Sequence, residues 1–291
     1  MAAIACKGFA EQYRECSTHQ SNRCLEVELQ LPDLISLSAF PKSGVTYLSF
    51  LLFYSFFSDE CDIHDLERKC IVDIHAYPNA TFDDTRALHM VKCHYLYDPA
   101  FYPLLRSINR AIYMIRHPID VMMSGFDFDH LVAGAVPETQ SPEFRAFVKR
   151  WIASGGQTTH WGSWTQHIRS WLRQTTIPVH LVTYENLVDD PERELKSIIN
   201  FIGVKVPAER QHIAIERSSM KAMAALESHE LAKRINGIFF RNDLAVGYGH
   251  GLRFINKGYR NCYETVLTPE ERTLADKTFG NEFVRYFGKQ R

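Results

Sequence analysis

From residue 34 onward, short β-type apolar runs alternate with longer amphipathic stretches. That alternation restricts the chain more than any other feature. It suits strands buried on both faces, joined by helices that cover them, and so predicts an α/β fold with a parallel sheet. Leu34 to Phe40 reads as a buried strand. Pro41 ends it, and a short loop leads into a helix over roughly Thr46 to Phe57. Ala87 to Cys93 reads as a second strand, Ala111 to Ile115 as a third and Val179 to Thr183 as a fourth. Pro118 opens a helix running through Ser124, at the position where proline's missing N–H costs nothing. Trp161, Trp164, His167, Ile168 and Trp171 fall at offsets of three and four and predict one helical stripe. Pro191 opens another helix, with Leu195, Ile198, Ile199 and Ile202 inward and Gly203 as its C-cap.

With 291 residues, 45% apolar and 23% charged, the chain can bury a large core without staples. We expect one domain over 1–291, with 1–30 a loosely attached N-terminal segment. Lys plus Arg number 33 and Asp plus Glu 34, a net charge of −1. There is no global basic field, so no nucleic-acid partner is expected, and an anion site must be a local cluster. The seven cysteines are odd in number and form no CxxC pair. That pattern predicts no metal site or disulfide framework and fits a reducing cytoplasm. The first thirty residues are mostly polar, with no secretory pattern, and the longest apolar run, Leu48 to Phe57, is too short for a bilayer.

The segment Phe40-Pro41-Lys42-Ser43-Gly44-Val45-Thr46-Tyr47 lies between a buried strand and an apolar helix. Such a junction turns free N–H groups and the positive helix end toward an anion. It is not a Walker A loop, because the lysine precedes the glycine. Arg116 leaves the third strand at its C-terminal end, where open α/β sheets bind ligands, and Ser124 follows two helical turns later.

These segments resemble the cytosolic-type sulfotransferase family. Pro41-Lys42-Ser43-Gly44-x-Thr46 is similar to its 5′-phosphosulfate loop, and Arg116 through Ser124 to its 3′-phosphate element. Lys92-Cys93-His94, Gly162-Ser163-Trp164-x-x-His167, Tyr184-Glu185-x-x-x-x-Asp190-Pro191 and Lys257-Gly258 match further motifs in order. The resemblance implies a three-layer α/β/α fold with a P-loop-like strand–loop–helix. It also implies sulfuryl transfer from 3′-phosphoadenosine 5′-phosphosulfate (PAPS) to a hydroxyl or amine of a small molecule, releasing PAP. On that basis Lys42 stands at the leaving phosphate, His94 is the general base and Lys92 holds the sulfuryl oxygens. Ser43, Gly44, Val45, Thr46 and Tyr47 cradle the 5′-phosphate and adenine. Arg116, Ser124, Lys257 and Gly258 hold the 3′-phosphate, and Tyr184 lines the adenine. No metal is implied.

Departures are visible. Val45 stands where a donor hydroxyl is usual, and Asn256 replaces an arginine that Arg253 could supply. The dimerisation motif is not recognisable, so oligomeric state stays open. Asp127 and Asp129 alternate with Phe126 and Phe128 past Ser124. Two carboxylates near a polyanionic donor need a cation between them or an outlet to solvent, which predicts a cationic acceptor such as an amine or guanidine. A nucleotide or small-molecule kinase and a catalytically silent nucleotide-binding protein are the alternatives.

Overall fold

The computed structural model describes residues 33–77, 82, 86, 88–158 and 160–288. The proposed N-terminal segment and Ala87 lie outside these residues. Five strands form one parallel sheet: β1 (Leu34–Ala39), β2 (Ile71–Asp73), β3 (His89–Cys93), β4 (Arg110–Ile115) and β5 (Val179–Thr183). Their order is β2-β3-β1-β4-β5, so the chain crosses β1 to build outward in both directions.

Period-two alternation explains the layering. Ile35, Leu37 and Ala39 of β1, with Ile112 and Met114 of β4, enter one apolar cluster. Leu34 of β1, with Ala111, Tyr113 and Ile115 of β4, enters the other. Ser36 and Ser38 share the second face and satisfy each other through their hydroxyls at 2.6 Å. The first face is covered by α1 (Val45–Phe56), α6 (Pro191–Ile202), α7 (Ala208–Ser218) and α8 (Met220–Lys233), whose Leu48, Leu195, Ala214 and Met223 join that cluster. The second is covered by α2 (Pro118–Ala133), α3 (Pro142–Ala153), α4 (Trp164–Leu172) and α11 (Pro269–Phe287). The short helices α5 (Tyr184–Asp189), α9 (Ala245–Gly249) and α10 (Cys262–Thr265) complete the order. This is the three-layer α/β/α arrangement expected. No helix of the described residues is long and apolar enough to cross a membrane.

Local signals act where they were read. Pro191 sits in the first turn of α6, Asp190 caps it by accepting from the Arg193 N–H, and Gly203 ends it at φ 82°. Two readings need correction, and one helix extends beyond the stretch read. A strand was missed: β2 has only three residues and no periodicity to detect. The helix from Pro118 runs to Ala133, because nothing breaks it before Gly134 at φ 65°. Trp161 is not on the helical stripe. Ser163 and Gln166 form a capping box that starts α4 at Trp164, leaving Trp161 in the preceding turn.

Candidate active site

The C-terminal ends of β1, β3, β4 and β5 deliver, in turn, the Lys42 loop, His94, Arg116 and Tyr184. All four line one cavity of about 980 Å³. It lies outside the strand ends on both sides of the central strand β1, where the connections diverge.

The loop after β1 is tight. The Ser43 N–H donates to the Phe40 carbonyl at 3.2 Å, and Lys42 itself adopts φ 67°. Gly44 has φ 98° and no side chain caps α1, so the first N–H groups of that helix are unclaimed by a cap. A Cβ on Gly44 would lie 2.5 Å from the Tyr184 ring, so the ring's closeness requires glycine there. Ser43 Oγ is buried with no hydrogen-bond partner. Arg116 ties the site together. It donates to the Lys42 carbonyl at 3.0 Å and to the Tyr259 carbonyl at 2.6 Å, and its guanidinium lies 4.2 Å from the Tyr184 ring centre. Its Nε is buried and unpartnered. Orphaned donors around an open glycine-edged loop fit an anionic ligand such as the donor phosphates.

Lys42 Nζ is 4.1 Å and 4.4 Å from the ring centres of Phe128 and Phe254. Burial, reinforced by the like charge of Arg116, pulls its ammonium down to about 7. Asp129 acts on it in the opposite sense, although Asp129 is absent from the cavity wall. Thr46, Tyr47, Val45 and Ser124 line the cavity, and the Tyr47 hydroxyl lies 3.5 Å from the Leu187 carbonyl.

His94 follows β3 and is buried. Its Nδ1 lies 2.7 Å from the Ala39 carbonyl, which can only accept. Nδ1 therefore carries the proton, and Nε2 keeps a lone pair. Burial, then the neighbouring His75 and Lys92, lowers this imidazole to about 3, so it is neutral in the free site. Lys92, which the resemblance assigns to the sulfuryl oxygens, is ion-paired. Its ammonium is 2.7 Å from Asp73 and 2.9 Å from Glu67, at the cavity wall. Sequence reading missed both carboxylates, since a three-residue strand ending in Asp73 carries no pattern.

The late loop is held by α8. Glu227 accepts from the Phe254 N–H at 2.6 Å and the Ile255 N–H at 3.1 Å. Gly258 adopts φ 54°, and a Cβ there would collide with Met220. Lys257 donates to the Tyr259 hydroxyl at 2.9 Å. Asn256, in place of arginine, donates to Asp127 Oδ2 at 2.7 Å, and the Tyr259 hydroxyl donates to the same oxygen at 2.6 Å. Asp127 Oδ1 is buried without a partner, and the residue lines the cavity. Arg253 also lines the cavity but donates to the carbonyls of Leu252 at 2.7 Å and Tyr248 at 3.4 Å.

Comparison with known proteins bears on the family and the fold. A family model described as the sulfotransferase domain matches residues 32–287. The chain is 29% identical over 203 residues to sulfotransferase 1A1 of Bos taurus, covering 66% of each chain. It is 28% identical over 178 residues to 3-beta-hydroxysteroid sulfotransferase of Cavia porcellus, covering 61% of this chain and 57% of that one. The matches thus span 66% and 57% of these two relatives, less than two thirds of each. Among solved structures, a mouse sulfotransferase complexed with PAP superimposes with TM-score 0.65 at 19% identity, over 94% of this chain and 91% of the other. Retinol dehydratase in complex with androsterone and inactive cofactor PAP gives TM-score 0.68 at 16% identity, over 97% and 87%. At such identities these two show a common fold. The family match over most of the chain decides membership: this protein belongs to the sulfotransferase domain family.

Proposed function

We propose that this protein transfers a sulfuryl group from PAPS to a small-molecule hydroxyl or amine. The observation that carries the reading is the convergence of Lys42, His94 and Arg116, from adjacent strand ends, on one cavity. The loop N–H groups, Ser43 and Thr46 hold the 5′-phosphate. Arg116, Ser124, Lys257 and Gly258 hold the 3′-phosphate, with Tyr47 and Tyr184 along the adenine. The bound donor supplies an activated sulfur with a phosphate as leaving group.

His94 Nε2 takes the acceptor proton as the acceptor oxygen or nitrogen bonds to sulfur. The bond from sulfur to the bridging oxygen breaks, and its electron pair stays on the 5′-phosphate of PAP. Lys42 meets that charge as it develops, which is where a fixed cation counts most. Anionic donor near Lys42 and His94 favours their protonated forms, offsetting the burial that disfavours them. Lys92, set in place by Asp73 and Glu67, is assigned the sulfuryl oxygens.

A cationic acceptor is part of the proposal, with Asp127 as its reader at the cavity wall and Asp129, set back from that wall, contributing only through its charge. The unpartnered Asp127 Oδ1 at the cavity wall supports it. So is a single catalytic domain in a cytoplasmic setting; Cys61, Cys70, Cys93 and Cys262 are free thiols.

The test is sulfate transfer from PAPS across phenols, alcohols, amines and guanidines, with thermal shift by PAP and by ATP plus magnesium. Transfer, with stabilisation by PAP, is expected. His94→Ala should lower turnover by about 10²–10⁴ while PAP affinity holds. No transfer despite PAP binding would refute catalysis, and preference for ATP plus magnesium would favour a kinase. Asp127→Asn should weaken any preference for cationic over neutral acceptors.

A further inference from the structure

The groups around His94 are arranged about its peptide units as well as its ring. In a parallel sheet the N–H of His94 would continue the ladder toward β2. That strand stops at Asp73, paired with Lys92, and the last bond on this edge runs from the Ile74 N–H to the Lys92 carbonyl at 3.4 Å. A buried N–H left there would cost about 1–3 kcal/mol. The chain turns instead. Asp73 Oδ1 accepts from the N–H groups of His75 at 2.9 Å and Ala76 at 3.3 Å, which folds the His75 ring back over the strand end. The His94 N–H then donates to His75 Nε2 at 2.8 Å. The two imidazoles stack with centroids 5.3 Å apart and planes 21° apart.

The carbonyl side is held by another imidazole. His167 Nε2 lies 3.0 Å from the His94 carbonyl and must donate to it. Its Nδ1 is then an acceptor, and the Tyr113 hydroxyl donates a hydrogen bond to it at 2.8 Å. His75 and His167 are both buried, 2% and 0% exposed. Each is fixed in one tautomer by what it meets at His94. Only a group with an acceptor at the Nε2 position of His75, and a donor at the Nε2 position of His167, satisfies both peptide groups.

We infer that His75 and His167 form a two-imidazole clamp that positions His94, gripping its N–H from one side and its carbonyl from the other. His75 is a positioning residue: its Nε2, accepting from the His94 N–H, supplies the ladder acceptor that β2 lacks. The effect is to fix the backbone from which the His94 ring is aimed, so that Nδ1 meets Ala39 and Nε2 keeps its lone pair for the acceptor. Small misplacements of a base cost turnover more than they cost binding. The inference rests on the proposed sulfuryl transfer only for its kinetic consequence.

The experiment compares His75→Gln, which can return an acceptor near the Nε2 position, with His75→Asn, which is too short to do so, and His75→Leu, which has none. Three quantities are read: PAP affinity by calorimetry, kcat and KM for the best acceptor, and hydrogen exchange of the His94 amide. The clamp predicts PAP affinity within about twofold of wild type in all three. Turnover should fall at least about tenfold in the Asn variant and recover in the Gln variant, with KM little changed. The His94 amide should exchange at least about tenfold faster in the Asn variant than in wild type or Gln. The exchange reading needs no turnover, so it tests the clamp even if the sulfuryl-transfer reading fails. It also remains available if His75→Leu does not fold. Equal exchange and equal turnover in the Gln and Asn variants would overturn the clamp. So would a loss of PAP affinity parallel to the loss of kcat, which would mark His75 as a general packing residue.

Discussion

Acidification tests the buried imidazoles together. Burial lowers His75 to about 4, His94 to about 3, His117 to about 4 and His167 to about 3, from an ordinary 6.5. The folded state therefore keeps these rings neutral, while the unfolded chain protonates them below pH 6.5. The stability they contribute is complete above pH 6.5 and is lost as the pH falls toward the folded values. At pH 5 the loss is about 2 kcal/mol for each ring, and about 8 kcal/mol for four. A domain typically has about 5–15 kcal/mol in total. Burial raises the carboxyls of Glu185 and Glu227, which work in the opposite sense and recover stability as the pH falls. Two such groups oppose four. The assay is urea unfolding followed by tryptophan fluorescence from pH 7.5 to 5. The free energy should change by only about 1–2 kcal/mol per pH unit near pH 7.5, mostly through buried Lys42, and steepen to about 4–5 kcal/mol per pH unit near pH 5. His117→Asn should reduce that slope by about one proton's worth, 1.4 kcal/mol per unit. A slope below one proton between pH 6 and pH 5 would refute neutral burial of the set.

Because burial holds Lys42 near 7, PAP binding at pH 8 should draw in close to one proton, fading below pH 6. Calorimetry in buffers of different ionisation enthalpy measures it, and Lys42→Met should abolish it. Gly44→Ala places a Cβ against Tyr184 and forces a left-handed backbone that alone costs about 1–2 kcal/mol. PAP affinity should drop more than about tenfold with a lower melting temperature, and unchanged affinity would remove the loop from the site. Arg116→Ala should erase most of the preference for PAP over 5′-AMP, since a charge-assisted contact is worth about 1.5–3 kcal/mol. Titration of both nucleotides checks it.

Several features resisted reading from the residues alone. β2 is too short for a period, yet its terminal Asp73 sets the position of Lys92 and the turn that carries His75. Trp161 fitted the helical spacing of α4, but a capping box two residues later excluded it, and its ring lies 6.0 Å from His94 instead. Asp127 and Asn256 looked like separate oddities; they are one hydrogen-bonded pair across 129 residues.

What the sequence determined by itself was local. The alternation of β1 with α1, the turn chemistry of Pro41 to Gly44, and the Pro191 and Gly203 ends of α6 depend on neighbours within a few residues. Steric and hydrogen-bonding rules act at that range without help from the rest of the chain. Tertiary structure alone decided which strand ends meet, and so which side chains share the cavity. It also decided that Lys92 is ion-paired, that the Asp127 carboxylate is shared by Asn256 and Tyr259, and that two distant imidazoles hold the peptide groups of His94. Each of these is a buried polar group that meets a partner well away in sequence. No local period encodes such a partner; it is set when the layers pack and every buried donor or acceptor must find a counterpart.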